Sequence, residues 1–281
     1  TIIDCFLREA DQLGINIHYQ CDWNWNELEQ AKAVLFATGA SEIMWQALEE
    51  KGTPCVPRVP SLFTFNIQNK HLNALPGISM PHAEIGIRNT AFCESGPVLI
   101  THWGLSGPAI LKLSSFAALN LAELQYAFEI EVNWIGQNED ETLEELKEIR
   151  QSKPKQFPAA HSMYGIPSRL WAFLLEQCQM PHQEWANISN IHLENLASIL
   201  CRNTFQVNGK STFKDEFVTA GGVDLKHIQF TTMEHKLHKN WYFAGEVLNI
   251  DAVTGGYNFQ NAWTTSWIAA QAIASKLNTA I

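Results

Sequence analysis

The stretch that most constrains this fold is a short apolar run that ends in a glycine and precedes a long helical pattern. Residues Trp241 to Ala244 are apolar and strand-forming, and Gly245 ends the run. A glycine lets a ligand approach the backbone closely, and Glu246 follows with a carboxylate. Because open α/β sheets bind ligands at the carboxyl ends of their strands, the sequence predicts a buried strand with a binding site at its end.

A second glycine pair, Gly255 and Gly256, comes before a segment with helical periodicity. Small and apolar residues recur on one predicted face at three- and four-residue spacing: Phe259, Ala262, Trp263, Ser266, Ala270, Ile273, Ala274 and Leu277. Thr254 and the glycines would lead the chain to a helix N-terminus near Asn258, whose free backbone amides attract negative charge. Each feature alone also suits a plain turn and a solvated acid, so the predicted binding site depends on their combination.

The composition narrows the classes of partner. With 281 residues, of which 46% are hydrophobic, the chain can bury a sizeable core and is long enough for more than one domain. Its formal net charge of −10 argues against nucleic acid or an anionic membrane as the main partner. No apolar run reaches the length of about 18 residues that a transmembrane helix needs, and no secretory signal pattern is present. We therefore expect a cytoplasmic protein whose six scattered cysteines are reduced thiols and not disulfides or zinc ligands.

The N-terminal segment predicts a helix and two strands. Ile2 to Leu13 place apolar residues on one helical face, Ile15 to Tyr19 alternates like a strand, and Ala33 to Ala37 is a continuous apolar strand that we expect to be buried on both faces. That strand ends in Thr38 and Gly39. The sequence contains no G-x-G-x-x-G fingerprint, and a phosphate-binding βαβ unit needs roughly 30 residues or more before such a helix. We therefore expect a fragment, or a naturally shortened version, of a longer protein.

The middle of the chain predicts a β-rich part and then a helical part. Prolines punctuate the connection after Thr53, and short strands follow at Ser61 to Ile67, Ala83 to Arg88, Pro97 to Thr101 and Ala127 to Val132. Strands at this spacing favour an antiparallel sheet or a small barrel. Residues 138–203 are helical in pattern, with Thr142 and Glu145 as a capping box, and a further strand is predicted from Phe213 to Val218.

Three separated blocks of residues resemble one family. Tyr242 to Trp263 keeps Y-F-A-G-E-V-L, an aspartate at position 251 and T-G-G-Y-N-F-Q-N-A-W. Thr101 to Leu111 is T-H-W-G-L-S-G-P-A-I-L, and Val218 to Val223 is V-T-A-G-G-V. These blocks are similar to the signatures of the bacterial YhiN/BaiN-type FAD-dependent oxidoreductases, a group that includes aminoacetone oxidase-like proteins. The sequence departs from the family pattern at Asn249 and Ala252.

The resemblance implies an α/β fold in which an FAD/NAD(P)-binding Rossmann-like domain, incomplete at its N-terminus, carries a discontinuous insertion of β-barrel-like and helical parts. The implied domains are residues 1–52 with 216–281 for the Rossmann-like domain, 53–137 with 204–215 for the β-rich insert, and 138–203 for the helical insert. The implied activity is that of a flavin-dependent oxidoreductase acting on a small molecule, with NAD(P)H as one option for the electron donor. Neither nucleic acid, membrane nor metal is expected as a partner.

The resemblance also implies which residues contact the cofactor FAD. These are Thr38, Gly39, Gly221, Gly222, Gly245, Glu246, Thr254, Gly255, Gly256, Tyr257 and Asn258. Glu246 would accept hydrogen bonds from the ribityl hydroxyls, and Thr254 to Asn258 would face the pyrimidine edge of the flavin. Since the phosphate-binding fingerprint is absent, the FAD site is incomplete in this sequence, and we expect the chain alone to carry little or no FAD. No catalytic residue is assigned.

Several residues permit a second interpretation. Ser106 lies in G-L-S-G, which lacks the second glycine of a hydrolase nucleophile elbow, so a structural turn is favoured. His102 suits either proton transfer or a packed histidine, and the packed histidine is favoured. His235 and His238 have a spacing that could hold a metal on a helix, but without a third ligand we expect solvated surface histidines.

Two other functions stay open at this stage. A non-catalytic fragment or binding module could keep the flavoprotein fold without holding FAD. An RNA-modifying flavoprotein would share the general fold, but an acidic chain is poorly suited to a phosphate backbone.

Overall fold

The computed structural model describes residues 1–211 and 218–279, so most of the strand predicted from Phe213 lies outside the described residues. The described strands are β1 (Val34–Phe36), β2 (Cys55–Ser61), β3 (Thr64–Ile67), β4 (Ser79–Ile87), β5 (Cys93–Ile100), β6 (Gly104–Ser106), β7 (Ala127–Asn133), β8 (Asn203–Ser211), β9 (Val218–Val223), β10 (Ile228–Gln229), β11 (Glu234–His235) and β12 (Trp241–Phe243). The described α-helices are α1 (Ile2–Gln12), α2 (Trp25–Gln30), α3 (Glu42–Glu50), α4 (Pro108–Phe116), α5 (Ala118–Glu123), α6 (Glu139–Ser152), α7 (Ser168–Gln177), α8 (Asn190–Arg202) and α9 (Tyr257–Thr279). Among these helices, none is both long enough and apolar enough to cross a membrane.

Six strands close into a barrel in the order β3-β6-β5-β4-β7-β8, and the neighbouring strands are antiparallel. Side chains alternate between the inside and the outside, so that Phe128, Ile130 and Val132 of β7 are buried. Closure gives each of these strands a partner on both sides, which removes the exposed edges of an open sheet. The sequence left an open sheet and a barrel as alternatives, and the barrel is confirmed.

The helices between β7 and β8 extend the core of the barrel. Trp134 and Trp171 are both buried in it, and the Trp134 backbone N–H donates to the Leu200 carbonyl at 2.8 Å. The capping box predicted at Thr142 is wrong. Asn138 caps α6 by accepting from the backbone of the second helical residue, whereas the Thr142 hydroxyl lies inside the helix and donates to the Asn138 carbonyl at 2.8 Å. Asparagine is a strong N-cap and three acidic residues follow it, so the helix begins there.

The second hydrophobic core surrounds a small sheet with the order β1-β12-β11-β10. Strands β1 and β12 are parallel, with Val34 opposite Trp241 and Phe36 opposite Phe243. The two ends of the chain therefore share one sheet, as the sequence predicts. The structure thus has a barrel and mixed α/β content, while a Rossmann-like nucleotide-binding unit and the domain boundaries stay predictions.

The N-terminal segment differs from its prediction in two places. The strand predicted from Ile15 to Tyr19 is absent, and these five residues are exposed and pair with none of the described strands. Strand β1 is not buried on both faces, since Leu35 is 39% exposed. Helix α1 forms as predicted, with a capping box at Thr1, but it contains no buried residue. Periodicity alone identified the helix and could not say whether anything covers its apolar face.

Strands β2 and β9 form an antiparallel pair between the two cores. The segment predicted as a proline-rich connection is therefore a strand, and its prolines at positions 57 and 60 are accommodated in a two-stranded ribbon with an irregular register. The predicted strand from Ser61 to Ile67 is divided, because Ser61 ends β2 and Leu62 has a positive φ of 58°. The chain thus turns sharply where it enters the barrel.

Helix α9 buries a face that is shifted from the predicted one: Ile273 of the predicted face packs against the second core, whereas its aromatic residues do not. Phe259 and Trp263 are 70% and 67% exposed, whereas Thr265 and Ala269 are buried. The Thr265 hydroxyl accepts a hydrogen bond from the Gly245 backbone N–H at 2.9 Å. The helix therefore approaches the sheet with its smallest side chains, which fixes its rotation and directs the aromatic residues away from the core.

Candidate functional site

A cavity of about 580 Å³ lies where α9 begins. Its walls come from the turn before the barrel, from β9 and from the residues that connect β12 to α9. The lining residues are Leu62, Val218, Glu246, Ile250, Val253, Thr254, Gly255, Gly256, Asn258, Phe259, Asn261 and Ala262. Of the predicted cofactor-binding residues, five line this cavity: Glu246, Thr254, Gly255, Gly256 and Asn258.

The loop before α9 is closed by hydrogen bonds with the side chain of Asn258, the second residue of that helix. Asn258 accepts from the Ala252 backbone N–H at 3.0 Å and donates from its amide nitrogen to the Ala252 carbonyl at 2.9 Å. Gly255 and Gly256 lie between these residues with positive φ values of 121° and 88°. The backbone shape by itself requires glycine at both positions, whether or not a ligand approaches. Helix α9 begins at Tyr257, one residue before the predicted start.

Glu246 is half-buried and lines the same cavity. One carboxylate oxygen accepts a hydrogen bond from the Thr219 backbone N–H at 3.2 Å, which ties the residue to β9. A carboxylate has four acceptor positions, so it can accept further hydroxyl groups while this bond is kept. The cavity therefore combines a hydrogen-bond acceptor with the positive end of a long helix.

The remaining predicted residues do not line the cavity. Gly221 and Gly222 are buried in β9, where an added Cβ would meet the Pro57 carbonyl oxygen at the first and the Val247 carbonyl oxygen at 2.6 Å at the second. Their lack of a side chain lets β9 pack closely against its neighbours. Gly245 is likewise held by α9, and Tyr257 is 59% exposed on the first turn of that helix.

Thr38 and Gly39 follow β1, next to a second cavity of about 290 Å³. That cavity is lined by Ala40, Glu42, Trp45, Arg58, Val59, Pro60, Val218 and Thr219. Val218 lines both cavities, so they adjoin at the start of β9. Arg58 is paired at 2.6 Å with each of two carboxylates, Glu42 and Glu49. Thr38 and Gly39 themselves line neither cavity, and it is Val218 that the two cavities share, which the sequence did not indicate.

The environments of His102, Ser106 and His235 do not indicate a catalytic or metal-binding role. His102 is exposed, and Ser106 accepts a hydrogen bond from the Thr64 hydroxyl at 3.0 Å. The expectation of a solvated His235 is wrong: it is 2% exposed and accepts from the backbone N–H groups of Leu237 and His238. Burial, followed by the charges of two neighbouring histidines, lowers the pKa of His235 to about 4. Within the described ranges, no group of three or more His, Cys, Asp or Glu side chains could hold a metal ion.

A family profile described as "HI0933-like protein barrel and H2TH domain" matches residues 59–218, which is more than half of the chain. This chain belongs to the HI0933-like family. That family consists of YhiN/BaiN-type flavoproteins, so the resemblance found in the sequence is confirmed. The matched residues contain the whole of the six-stranded barrel, and the family is one of flavin-dependent oxidoreductases.

Three curated relatives carry names with a stated activity. The chain is 33% identical over 258 residues to a ribosomal RNA dihydrouridine synthase of Haemophilus influenzae, covering 87% of this chain and 61% of the relative. It is 31% identical to the ribosomal RNA dihydrouridine synthase of Escherichia coli, over 83% of this chain and 56% of the relative. It is 23% identical to a 3-dehydro-bile acid delta(4,6)-reductase of Clostridium scindens, over 78% of this chain and 54% of the relative. The matched part thus spans little more than half of each relative's length.

Proposed function

We propose that this protein is an FAD-dependent reductase whose flavin binds in the cavity at the start of α9. The observation that carries the proposal is that Glu246 and a helix N-terminus line one cavity, in a chain that belongs to a flavoprotein family. A carboxylate suits sugar-like hydroxyl groups, and the helix end favours a ring that gains negative charge.

The residues present suit the flavin end of FAD, whereas the phosphate-binding fingerprint for the rest of the dinucleotide is absent from this sequence. The cavity at α9 adjoins the second cavity at Val218, and this second cavity is lined by Ala40, which follows β1 in the chain. Ligands of α/β sheets bind at such strand ends. The open space at Gly256, where an added Cβ would meet nothing within 4 Å, leaves room for a flat group beside the backbone.

FAD, when bound, supplies the hydride. The side chains of the cavity then have three tasks. Glu246 holds hydroxyl groups and is itself fixed by Thr219. The backbone amides at the start of α9 stabilise negative charge, and Asn258 keeps the preceding loop closed around them. Ile250 and Val253 exclude water from the same space.

The names of the relatives suggest a common substrate chemistry. Dihydrouridine is uridine with two hydrogens added across the ring double bond, which is conjugated to a carbonyl. A 3-dehydro, delta(4,6) bile acid also has double bonds conjugated to a ketone. We therefore propose that the substrate is a flat ring with a C=C bond conjugated to a carbonyl, in which the carbon farther from the carbonyl receives the hydride and the carbon next to the carbonyl receives a proton from solvent.

Two substrate sources are consistent with this chemistry. Uridine in ribosomal RNA is favoured by the two relatives above 30% identity. A small molecule is favoured by the formal net charge of −10 and by the bile acid reductase. We place RNA uridine first, because both relatives with the higher identity carry that name. NAD(P)H is the proposed electron donor for either source.

The first experiment tests the flavin site in the protein produced from its complete gene. We expect Glu246→Ala to weaken FAD binding by about ten- to a hundredfold, because a charge-assisted hydrogen bond contributes about 1.5–3 kcal/mol. Gly256→Val should also hinder FAD sterically, although the positive φ of 88° at Gly256 means that the loop itself would be strained. Glu123→Ala, at an exposed acid in the barrel unit, is the matched control. Unchanged FAD affinity in both cavity variants would place the cofactor elsewhere.

The second experiment decides the substrate. The flavin is reduced with dithionite under anaerobic conditions and mixed with a uridine-containing ribosomal RNA transcript in one arm and a 3-keto-Δ4 steroid in the other. Fast reoxidation by the transcript supports the RNA proposal, and reoxidation only by the steroid supports the small-molecule proposal. Replacement of uridine by dihydrouridine in the transcript should abolish the reaction.

The rival function is a non-catalytic binding module without FAD. It predicts that the protein from the complete gene is colourless and does not bind added FAD. A yellow preparation with stoichiometric flavin would exclude it.

A further inference from the structure

Leu62 combines an unusual backbone conformation with a place in the cavity. It has a positive φ of 58°, in a backbone region that residues other than glycine and asparagine seldom adopt. It is 8% exposed and lines the cavity from the turn that enters the barrel, in a lining that also contains Gly255 and Gly256. Glycine would adopt this conformation without strain, whereas leucine strains the backbone here and so lowers the stability of the folded protein.

Hydrogen bonds on both sides hold this conformation. The Ser61 hydroxyl donates to Asp251 at 2.9 Å, and the Phe63 backbone N–H donates to the Ser114 hydroxyl oxygen at 2.9 Å. Ser61 and Ser114 are both fully buried, at 0% exposed. The two neighbours of Leu62 are therefore fixed independently, which leaves the residue between them little freedom.

Asp251 connects this turn to the loop before α9. The carboxylate oxygen that accepts from Ser61 also accepts from the Ser115 hydroxyl of α4 at 3.3 Å. Ile250 and Val253, on either side of Asp251, line the cavity. One carboxylate therefore ties the turn at Leu62, α4 and the loop before α9 to one another.

We infer that Leu62 is a substrate-positioning residue, held in place by the Asp251 hydrogen bonds, which packs a flat, uncharged, unsaturated ring against the flavin. This inference rests on the proposed function, because it needs flavin and substrate in the same cavity. A strained residue that lines a pocket and is fixed from both sides is the arrangement expected where position matters more than stability. The neighbouring apolar side chains Val218 and Val253 make the same wall suited to a ring and unsuited to an ion.

The test uses Leu62→Ala and Leu62→Gly in the FAD-loaded protein from the complete gene. The probes are the uridine-containing transcript and the 3-keto-Δ4 steroid of the reoxidation assay. With the probe that reoxidises the parent's flavin, we expect both variants to raise its half-saturating concentration about tenfold, with FAD affinity unchanged. Asp251→Ala should have a similar effect, Asp251→Asn should restore most of the parent value because the amide keeps an acceptor oxygen, and the double change with Leu62→Ala should be less than additive.

A stability measurement tests the strain without any ligand. Leu62→Gly should melt about 2 °C above Leu62→Ala, because both lose the side chain and only glycine relieves the positive φ. Leu75, with an ordinary φ of −111° beside the barrel core, is the matched control, and there the glycine variant should melt below the alanine variant.

The outcomes separate the inference from the function on which it rests. If the parent binds FAD and is reoxidised by a probe, but the Leu62 variants have unchanged half-saturation, then Leu62 does not position the substrate. If Leu62→Gly melts below Leu62→Ala, the strain argument is wrong. If the parent protein binds no FAD, or neither probe reoxidises its reduced flavin, the proposed function fails and the inference with it.

Discussion

The barrel buries its apolar side chains more completely than the small four-stranded sheet does. In the barrel, inward-facing residues such as Phe65, Ile85 and Leu105 are 0% exposed, and every barrel strand has two neighbours. In the four-stranded sheet, β1 and β10 are outer strands of two to three residues, and Leu35 of β1 is 39% exposed. The exposed aromatic residues of α9 belong to the same part of the molecule.

This difference indicates that the barrel mainly supplies stability, whereas the part of the molecule around the small sheet supplies much of the candidate site. The barrel is closed and can bury its own core. The small sheet contributes Glu246 and the start of α9 to the cavity but leaves Leu35, Trp263 and Trp267 open to solvent. Exposed apolar surface of this kind marks a region that gains from further contacts. The predictions below test this division in order of expected effect.

The largest effect is expected in the barrel. Phe65→Ala should lower the free energy of unfolding by about 3–5 kcal/mol, because the ring is fully buried and packs against Phe63 and Phe128 at centroid distances of 5.9 and 5.1 Å. Urea unfolding followed by circular dichroism measures it. Phe116→Ala, at a residue 55% exposed on α4, should change stability by less than about 0.5 kcal/mol. Equal losses in the two variants would contradict the barrel core.

Gly222→Ala should lower stability by roughly 2–3 kcal/mol, because it combines a positive φ of 116° with a Cβ position 2.6 Å from the Val247 carbonyl oxygen. Gly52→Ala is its control in the same part of the molecule, since Gly52 has a φ of 83° and nothing within 4 Å of the added Cβ. The control should show only the smaller conformational loss. Equal melting temperatures of the two variants would mean that β9 can move away from Val247.

His235 should make the small sheet sensitive to acid. Its pKa is lowered to about 4 in the folded protein by burial, against 6.5 in the unfolded chain, so the unfolded state binds the proton first as the pH falls. The stabilisation is complete above about pH 6.5 and is lost toward pH 4, by on the order of 2 kcal/mol. His235→Asn keeps an acceptor for Leu237 and does not titrate, so it should remove this part of the pH dependence. The two profiles are compared by urea unfolding from pH 4.5 to 7.5, and coincident slopes would contradict the assignment.

The smallest effect is expected at α1. Phe6→Ser should change the free energy of unfolding by less than about 0.5 kcal/mol, because Phe6 is 69% exposed and α1 contains no buried residue. A loss above 1 kcal/mol in thermal unfolding would mean that α1 packs against another surface in solution.

Much of the cavity could be predicted from local sequence, and part of it could not. Glu246 and Gly255–Gly256 follow a strand and precede a helix within one short segment, so their proximity is imposed by chain connectivity. Leu62 and Val218 reach the same cavity from the ends of β2 and β9, and nothing in their local pattern indicates it. At Gly221 and Gly222 the local sequence was misleading. This glycine pair suggests a ligand, but the structure explains it by the close packing of β9 against its neighbours.

The sequence by itself determined the family, the strands around Val34 and Trp241, the short strands of the barrel and the helix that begins beside Glu246. Each depends on periodicity or on a motif, which are properties of neighbouring residues. The tertiary structure decided which face of α9 is buried, how the chain turns at Leu62, and that Asp251 joins the barrel to the cavity. These features depend on contacts between residues distant in the chain, such as the 190-residue separation of Ser61 and Asp251, and no local pattern encodes them.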